Sequence, residues 1–244
     1  MKDYGLQFWT VHVECEKDFR GMIKKAADLG FVKVEFTDYY DLTAEELKKE
    51  LEENGLKPVS RQMMIDAMEK DIDGAIAYAK TIGLQNIASC VADTSTKENL
   101  DALIEQLRPL VKRVSDAGLT FLYHNHGSEF VPLDGKLPIV SLLEAFEEYN
   151  FGLELDTYWA LGAGADILGF MKEYAGKIKN IHIKGGDGKG HSCPFRESVI
   201  DVKAIVSLAR ELGISDILVE DDTPVPDGLT LATLNIETLK EWDV

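Results

Sequence analysis

Apolar runs of six or seven residues alternate along the chain with longer stretches of helical periodicity. The runs are GLQFWT (5–10), VKVEFT (32–37), KPVSRQM (57–63), NIASCV (86–91), LTFLYHN (119–125), FGLELDT (151–157), IKNIHIK (178–184) and DILVED (216–221). Between them, apolar side chains recur every three to four residues, as in Ile72, Ala75, Ile76 and Ala79, or Leu100, Leu103, Leu107, Val111 and Val114. That spacing places them on one helix face. Helices are predicted near 17–29, 43–54, 68–82, 96–117, 138–149, 165–175, 201–212 and 235–242. Thr43 with Glu46 spells a capping box for the second, and Gly118 suits the end of the fourth.

Eight short strands, each followed by a helix, predict parallel pairing through right-handed crossovers. Eight such units in 244 residues match the count and size of a single (β/α)8 TIM barrel. A doubly wound open sheet would share the alternation. It would leave two sheet edges, and no dinucleotide-binding fingerprint follows the first strand. No linker interrupts the pattern, so one domain over 1–244 is expected.

In such a barrel, chemistry sits at the carboxyl ends of the strands. Those ends carry Trp9 and His12, then Glu35, then Ser60, Arg61 and Gln62. Strand 5 ends in His124, Asn125 and His126; strand 6 holds Glu154 and Asp156; strand 7 holds His182 and Lys184; strand 8 ends in Glu220, Asp221 and Asp222. Each has a structural explanation: a hydrogen-bonded core histidine, an Asp156 that caps the next turn, a solvated acidic loop, or tryptophans used for packing. As a set they differ, because strands 5 to 8 each place a histidine or a carboxylate at the same end. Two imidazoles with two carboxylates suit one divalent ion, with Mn²⁺, Co²⁺, Zn²⁺ or Fe²⁺ favoured over Mg²⁺, which prefers oxygen ligands and water.

The charge balance is 26 basic against 43 acidic residues, net −17. Such a surface repels phosphate backbones and anionic lipid, so neither nucleic acid nor membrane is an expected partner. The N-terminal residues show no signal-peptide pattern. Three scattered cysteines form neither a disulfide framework nor a metal knuckle, which fits a cytoplasmic setting. The glycine-rich stretch GGDGKGHSCPF (185–195) lacks a phosphate-loop ending and reads as a lid or plain loop with an exposed His191. Nothing in the sequence argues against an oligomer.

The segments GLQFWTVHVECEKDF, LGFVKVEFTDYY, GLKPVSRQM, FLYHNHGSEF, LELDTYW, NIHIKG and ILVEDD resemble the xylose isomerase-like TIM barrels, in particular the sugar phosphate isomerase/epimerase family. The resemblance runs nearly end to end. It implies one divalent metal at the barrel mouth and isomerisation, epimerisation or dehydration of a small carbohydrate or cyclitol. By position it implies Asp156, His182 and Glu220 as ligands. His124 stands where many members have a glutamate and is the expected fourth ligand, with His126 its nearest rival. Glu220 is the expected base, Lys184 a contact to a substrate oxygen, and Glu129 a second catalytic carboxylate. Trp9, Glu35, Gln62, His126, Trp159 and Arg196 are expected around the substrate. Gly185 and Gln62 replace an aspartate and a histidine common among related sequences.

The chemistry implied is proton abstraction beside a carbonyl, as in a metal-dependent sugar isomerase or epimerase. With His124 in place of a glutamate, a lyase using one base for β-elimination from a keto-cyclitol or 3-keto-glycoside is the alternative. A carbohydrate-binding barrel without activity is a further one.

Overall fold

The computed structural model describes residues 3–243. The strands are β1 (Gly5–Gln7), β2 (Lys33–Phe36), β3 (Lys57–Met64), β4 (Asn86–Cys90), β5 (Thr120–His124), β6 (Phe151–Asp156), β7 (Ile178–Ile183) and β8 (Asp216–Val219). Hydrogen bonds join them in that order into a closed parallel barrel. Closure removes the sheet edges that an open doubly wound fold would retain. The helices are α1 (His12–Leu29), α2 (Ala44–Asn54), α3 (Ile65–Ile82), α4 (Lys97–Asp116), α5 (Pro138–Ala145), α6 (Thr157–Gly162), α7 (Ile167–Tyr174), α8 (Val202–Glu211) and α9 (Gly228–Trp242). Short 3₁₀ turns span Phe8–Val11 and Ser128–Phe130. No helix among the described residues is long and apolar enough to cross a membrane.

Local chemistry explains where these elements start. Thr43 and Glu46 form the predicted capping box of α2. Inside α1 and α3 the backbone leaves helical geometry at Asp18 and Asp71, whose carboxylates accept from the N–H groups of Gly21 and Gly74 at 2.9 Å. Each aspartate therefore caps the longer helical segment behind it. A Cβ on either glycine would lie 2.1 Å from the capping carboxylate. Asp166 and Gly169 repeat the arrangement at α7. Several elements differ from the sequence expectation, and α1 starts at His12 rather than near residue 17. β1 stops at Gln7, whose side chain accepts from Trp9 N and turns the chain into a 3₁₀ helix. The helix expected over 138–149 ends at Ala145. α9 begins at Gly228 behind an Asp227 cap, and α6 was not foreseen.

Contacts gather the chain into two compact units, Met1–Val59 with Asn180–Val244, and Ser60–Lys179. In the first, β1 lies between β2 and β8, and Phe8, Phe19 and Phe36 pack edge to face. In the second, β5 lies between β4 and β6, and Phe121 stacks on Phe151 at 5.9 Å. Burying each such aromatic or Leu/Ile side chain contributes about 1.5–3 kcal/mol. The usual filling of a barrel of this kind is branched apolar side chains. Here Gln7, Glu35, Ser60, Gln62, His124, Glu154, Asp156, His182, Lys184 and Glu220 are all buried, and this polarity locates the site.

Candidate metal centre

His182 on β7 is held between two carboxylates. Its Nδ1 lies 2.7 Å from Glu220 Oε2 and its Nε2 lies 2.8 Å from Glu35 Oε2. Glu35 sits on β2 beside Gln7, and Gln7 Nε2 donates to Glu35 Oε1 at 3.5 Å. Lys184, two residues beyond His182, reaches Glu220 Oε2 at 2.9 Å and donates to Asp222 Oδ2 at 2.6 Å. Lys184 lies just past the end of β7, and its side chain and that of His182 meet the same Glu220 oxygen. Buried carboxylates are costly unless matched, and here an ammonium and an imidazole match them. Next to Glu220, burial raises the pKa of the Asp221 carboxyl, although Ser192 Oγ and Thr223 N–H donate to it.

His124 ends β5 in register with Glu154 of β6. Its Nδ1 lies 3.5 Å from Glu154 Oε1, and its Nε2 lies 4.0 Å from Asp156 Oδ2. Glu154 is fixed from β3, where Ser60 Oγ donates to Oε2 at 3.0 Å and Gln62 Nε2 to Oε1 at 2.7 Å. Asp156 is the N-cap of α6, its Oδ1 accepting from Trp159 N at 3.0 Å. Asn125 grips the Asp156 peptide units from both sides: Oδ1 accepts from Asp156 N at 2.9 Å, and Nδ2 donates to Asp156 O at 3.1 Å. The backbone pairing of β5 and β6 ends at His124 and Glu154, and the Asn125 amide carries it one step further.

Among the described residues, two groups of metal-ligating side chains are close enough to share an ion. In each, the ligand atoms lie within 4.8 Å of one another. One is His124, Asp156, His182 and Glu220; the other is Glu35, Glu154 and His182. All of these residues are buried. Imidazole nitrogens with carboxylate oxygens form a donor set that suits Mn²⁺, Fe²⁺, Co²⁺ or Zn²⁺.

The other expected site residues are placed as follows. Glu35 and Gln62 are buried and bonded to His182 and Glu154. Both oxygens of Glu129 are engaged: Oε1 accepts from Tyr123 Oη at 2.7 Å, and Oε2 accepts from His126 N and Ser128 Oγ. Burial and the Glu129 charge raise the Tyr123 pKa well above its usual value, so the phenol stays a donor. His126 is half-buried with its ring 5.5 Å from Trp159 and 5.1 Å from His124. Trp9 is 41% exposed and stacks on His12 at 4.3 Å. Arg196 is exposed and pairs with Glu241 of α9. A Cβ on Gly185 would lie 2.1 Å from the Cys193 carbonyl, so the folded-back 185–195 loop leaves no space there for an aspartate. His191 is exposed and binds Asp187, whose pKa it lowers to about 2.

Reading the sequence missed the work of Asn125 and Ser60. The asparagine of YHNH was visible, but its partner is a peptide unit 31 residues away. Ser60 and Glu154 are separated by 94 residues.

Comparison with known proteins gives a consistent picture. The model of the Xylose isomerase-like TIM barrel family matches residues 23–241. Hydroxypyruvate isomerase of Escherichia coli (strain K12) is 26% identical over 199 residues, covering 72% of this chain and 77% of that protein. Inosose dehydratase of Bacillus cereus (strain AH820) is 27% identical over 107 residues, 44% of this chain and 32% of that one. Among solved structures, a sugar phosphate isomerase/epimerase from Parabacteroides distasonis ATCC 8503 has a TM-score of 0.80 at 19% identity, covering 99% and 98% of the two chains. The IOLI protein with a bound zinc atom has a TM-score of 0.75 at 17% identity, covering 100% and 97%. At these identities the structural likeness is one of fold.

Proposed function

Because the chain belongs to the xylose isomerase-like TIM barrel family, we propose that it is a metal-dependent sugar isomerase or epimerase that removes a proton beside the carbonyl of a keto-sugar or related carbohydrate. The carrying observation is the buried group His124, Asp156, His182 and Glu220, whose ligand atoms lie within 4.8 Å of one another. These four residues would hold one divalent ion. When bound, the ion supplies Lewis-acid polarisation of a substrate carbonyl. The relatives support this reading: one is a hydroxypyruvate isomerase, and a protein of the same fold binds zinc.

The chain's own residues divide the remaining work. Glu220 is the base. Its Oε2 lies 2.9 Å from Lys184 Nζ, whose ammonium stabilises it as a carboxylate until it takes a proton. Lys184 is the cation available to a substrate oxygen, and Asp222 fixes its direction. Trp9 and the His126–Trp159 pair offer aromatic surface to a sugar ring.

A second reading, β-elimination, is favoured by one observation. Glu129 would be the alternative base on the strand 5 side, but its carboxylate is tied into its own loop by Tyr123, His126 and Ser128. That leaves one base, enough for isomerisation through a shuttled proton or for elimination with Lys184 as acid. The inosose dehydratase relative is consistent with elimination.

The test is incubation of Mn²⁺- or Co²⁺-loaded protein with ketoses, keto-cyclitols and 3-keto-glycosides in D₂O, followed by NMR. Deuterium at a retained α-carbon is the expected result. Loss of water or an aglycone selects the lyase. No exchange and no product with any substrate class removes the catalytic reading.

A further inference from the structure

Two buried carboxylates stand outside the proposed ligand shell, and each faces one histidine on the side away from it. Glu35 Oε2 lies 2.8 Å from His182 Nε2, while Glu220 faces the other nitrogen, Nδ1, at 2.7 Å. Glu154 Oε1 lies 3.5 Å from His124 Nδ1, while Asp156 faces the other nitrogen, Nε2, at 4.0 Å. Each ring lies between two carboxylates, closely for His182 and more loosely for His124, and the two use opposite ring nitrogens.

We infer that Glu35 and Glu154 are positioning residues that fix opposite tautomers of the two histidines, so that His182 ligates through Nδ1 and His124 through Nε2. This rests on the metal reading above. A neutral imidazole has one N–H and one lone pair. Carboxylates face both nitrogens of each ring, and a carboxylate accepts but cannot donate. Glu220 and Asp156 would share the ion with the nitrogens they face, so those nitrogens present lone pairs and the N–H of each ring turns to Glu35 or Glu154. The outer carboxylates are themselves anchored. Ser60 and Gln62 donate to Glu154, and Gln7 donates to Glu35. Glu35 and Glu154 are fully buried. A base must reach substrate, whereas these two act through the rings they orient. The inference also gives Gln62 a part: its amide secures Glu154, two steps from the ion.

The rival is a second ion held by Glu35, Glu154 and His182, whose ligand atoms also lie within 4.8 Å of one another. One experiment separates the possibilities. Protein labelled with ¹⁵N in its histidine rings is loaded with Zn²⁺, and ring signals of the other three histidines are assigned by their loss in His12→Gln, His126→Gln and His191→Gln. Of the two remaining rings, one is expected to be zinc-bound at Nδ1 with Nε2 protonated, and the other the reverse. Zn²⁺ titration should give one equivalent per chain. Affinity should fall about 10–100-fold in Glu35→Ala and Glu154→Ala. Glu35→Gln and Glu154→Gln should recover most of it, because the amide oxygen accepts the same N–H.

Both rings bound through the same nitrogen would overturn the inference while leaving the metal centre intact. So would a second zinc equivalent lost in Glu35→Ala, or alanine variants that bind as tightly as wild type. If wild type binds no zinc, the metal reading falls and takes this inference with it. Should the alanine variants fail to fold, the ring signals of the wild type still decide.

Discussion

His182 touches carboxylates on both sides at 2.7 and 2.8 Å, whereas His124 stands 3.5 and 4.0 Å from its two. The first belongs to a network of β1, β2, β7 and β8 in which Lys184 supplies a cation. Its charges compensate one another directly. The second belongs to β3, β5 and β6, where neutral groups do the holding: Ser60, Gln62 and Asn125 fix the carboxylates and peptide units around the ring. A charge-matched cluster is stable through its own ion pairs and suffers when one member is removed. A ring placed by neutral scaffold contacts contributes less to stability and can still be a necessary ligand. Both histidines should therefore be needed for metal affinity, while His182 carries more of the stability.

The largest expected effect is that of His182→Ala, which leaves Glu35, Glu220 and Lys184 without the ring between them. Breaking a buried ionic cluster costs about 3–5 kcal/mol. Urea unfolding should show that loss, and Zn²⁺ titration should show no tight binding. His124→Ala should also abolish tight binding but cost only about 1–3 kcal/mol, the scale of one unsatisfied buried group. Equal losses of stability in the two variants would break the comparison.

Glu220→Gln keeps the shape of the first cluster and removes its base. Turnover, measured on the substrate that the D₂O experiment identifies, should fall by about 10²–10⁴-fold, the usual contribution of a general base. The melting transition should remain cooperative. Retained turnover would take Glu220 out of the mechanism.

Asn125→Ala tests the neutral scaffold. It strips partners from the buried N–H and C=O groups of Asp156, at a cost of about 1–3 kcal/mol. Zn²⁺ affinity should fall with it, by less than in His124→Ala. The smallest effect belongs to Arg196→Ala. An exposed ion pair such as Arg196–Glu241 contributes about 0–1 kcal/mol, and metal binding should not change. A loss of metal affinity there would place Arg196 in the site, as the family resemblance suggested and the exposed pairing with α9 does not support.

The fold was largely legible because alternation reports it directly. Each predicted strand forms, and the capping box at Thr43 is present. α6 was hidden because six residues behind an aspartate cap show no apolar period, and only Thr157 of TYWALG fell within a predicted element, the strand over 151–157. The start of α9 was hidden by Gly228 and by threonines that suit strands as well as helices. The chemistry-bearing residues were legible where a charge interrupted an apolar run, as in NIHIK and LELD. What pairs with what was not. Glu35 meets His182 across 147 residues, and Gln62 meets Glu154 across 92. Those separations come from strand order around the barrel, which local spacing does not encode. Glu129 was misleading for the same reason: its partners Tyr123 and Ser128 are close in sequence, but only the folded loop shows that they occupy it.

The most direct test of the central claim is a Zn²⁺ or Mn²⁺ titration of the metal-stripped protein, read by calorimetry beside His124→Ala and His182→Ala. One ion per chain bound tightly by wild type, and by neither variant while both still unfold cooperatively, is the predicted result. No binding by wild type, or binding in either variant as tight as in wild type, would contradict it.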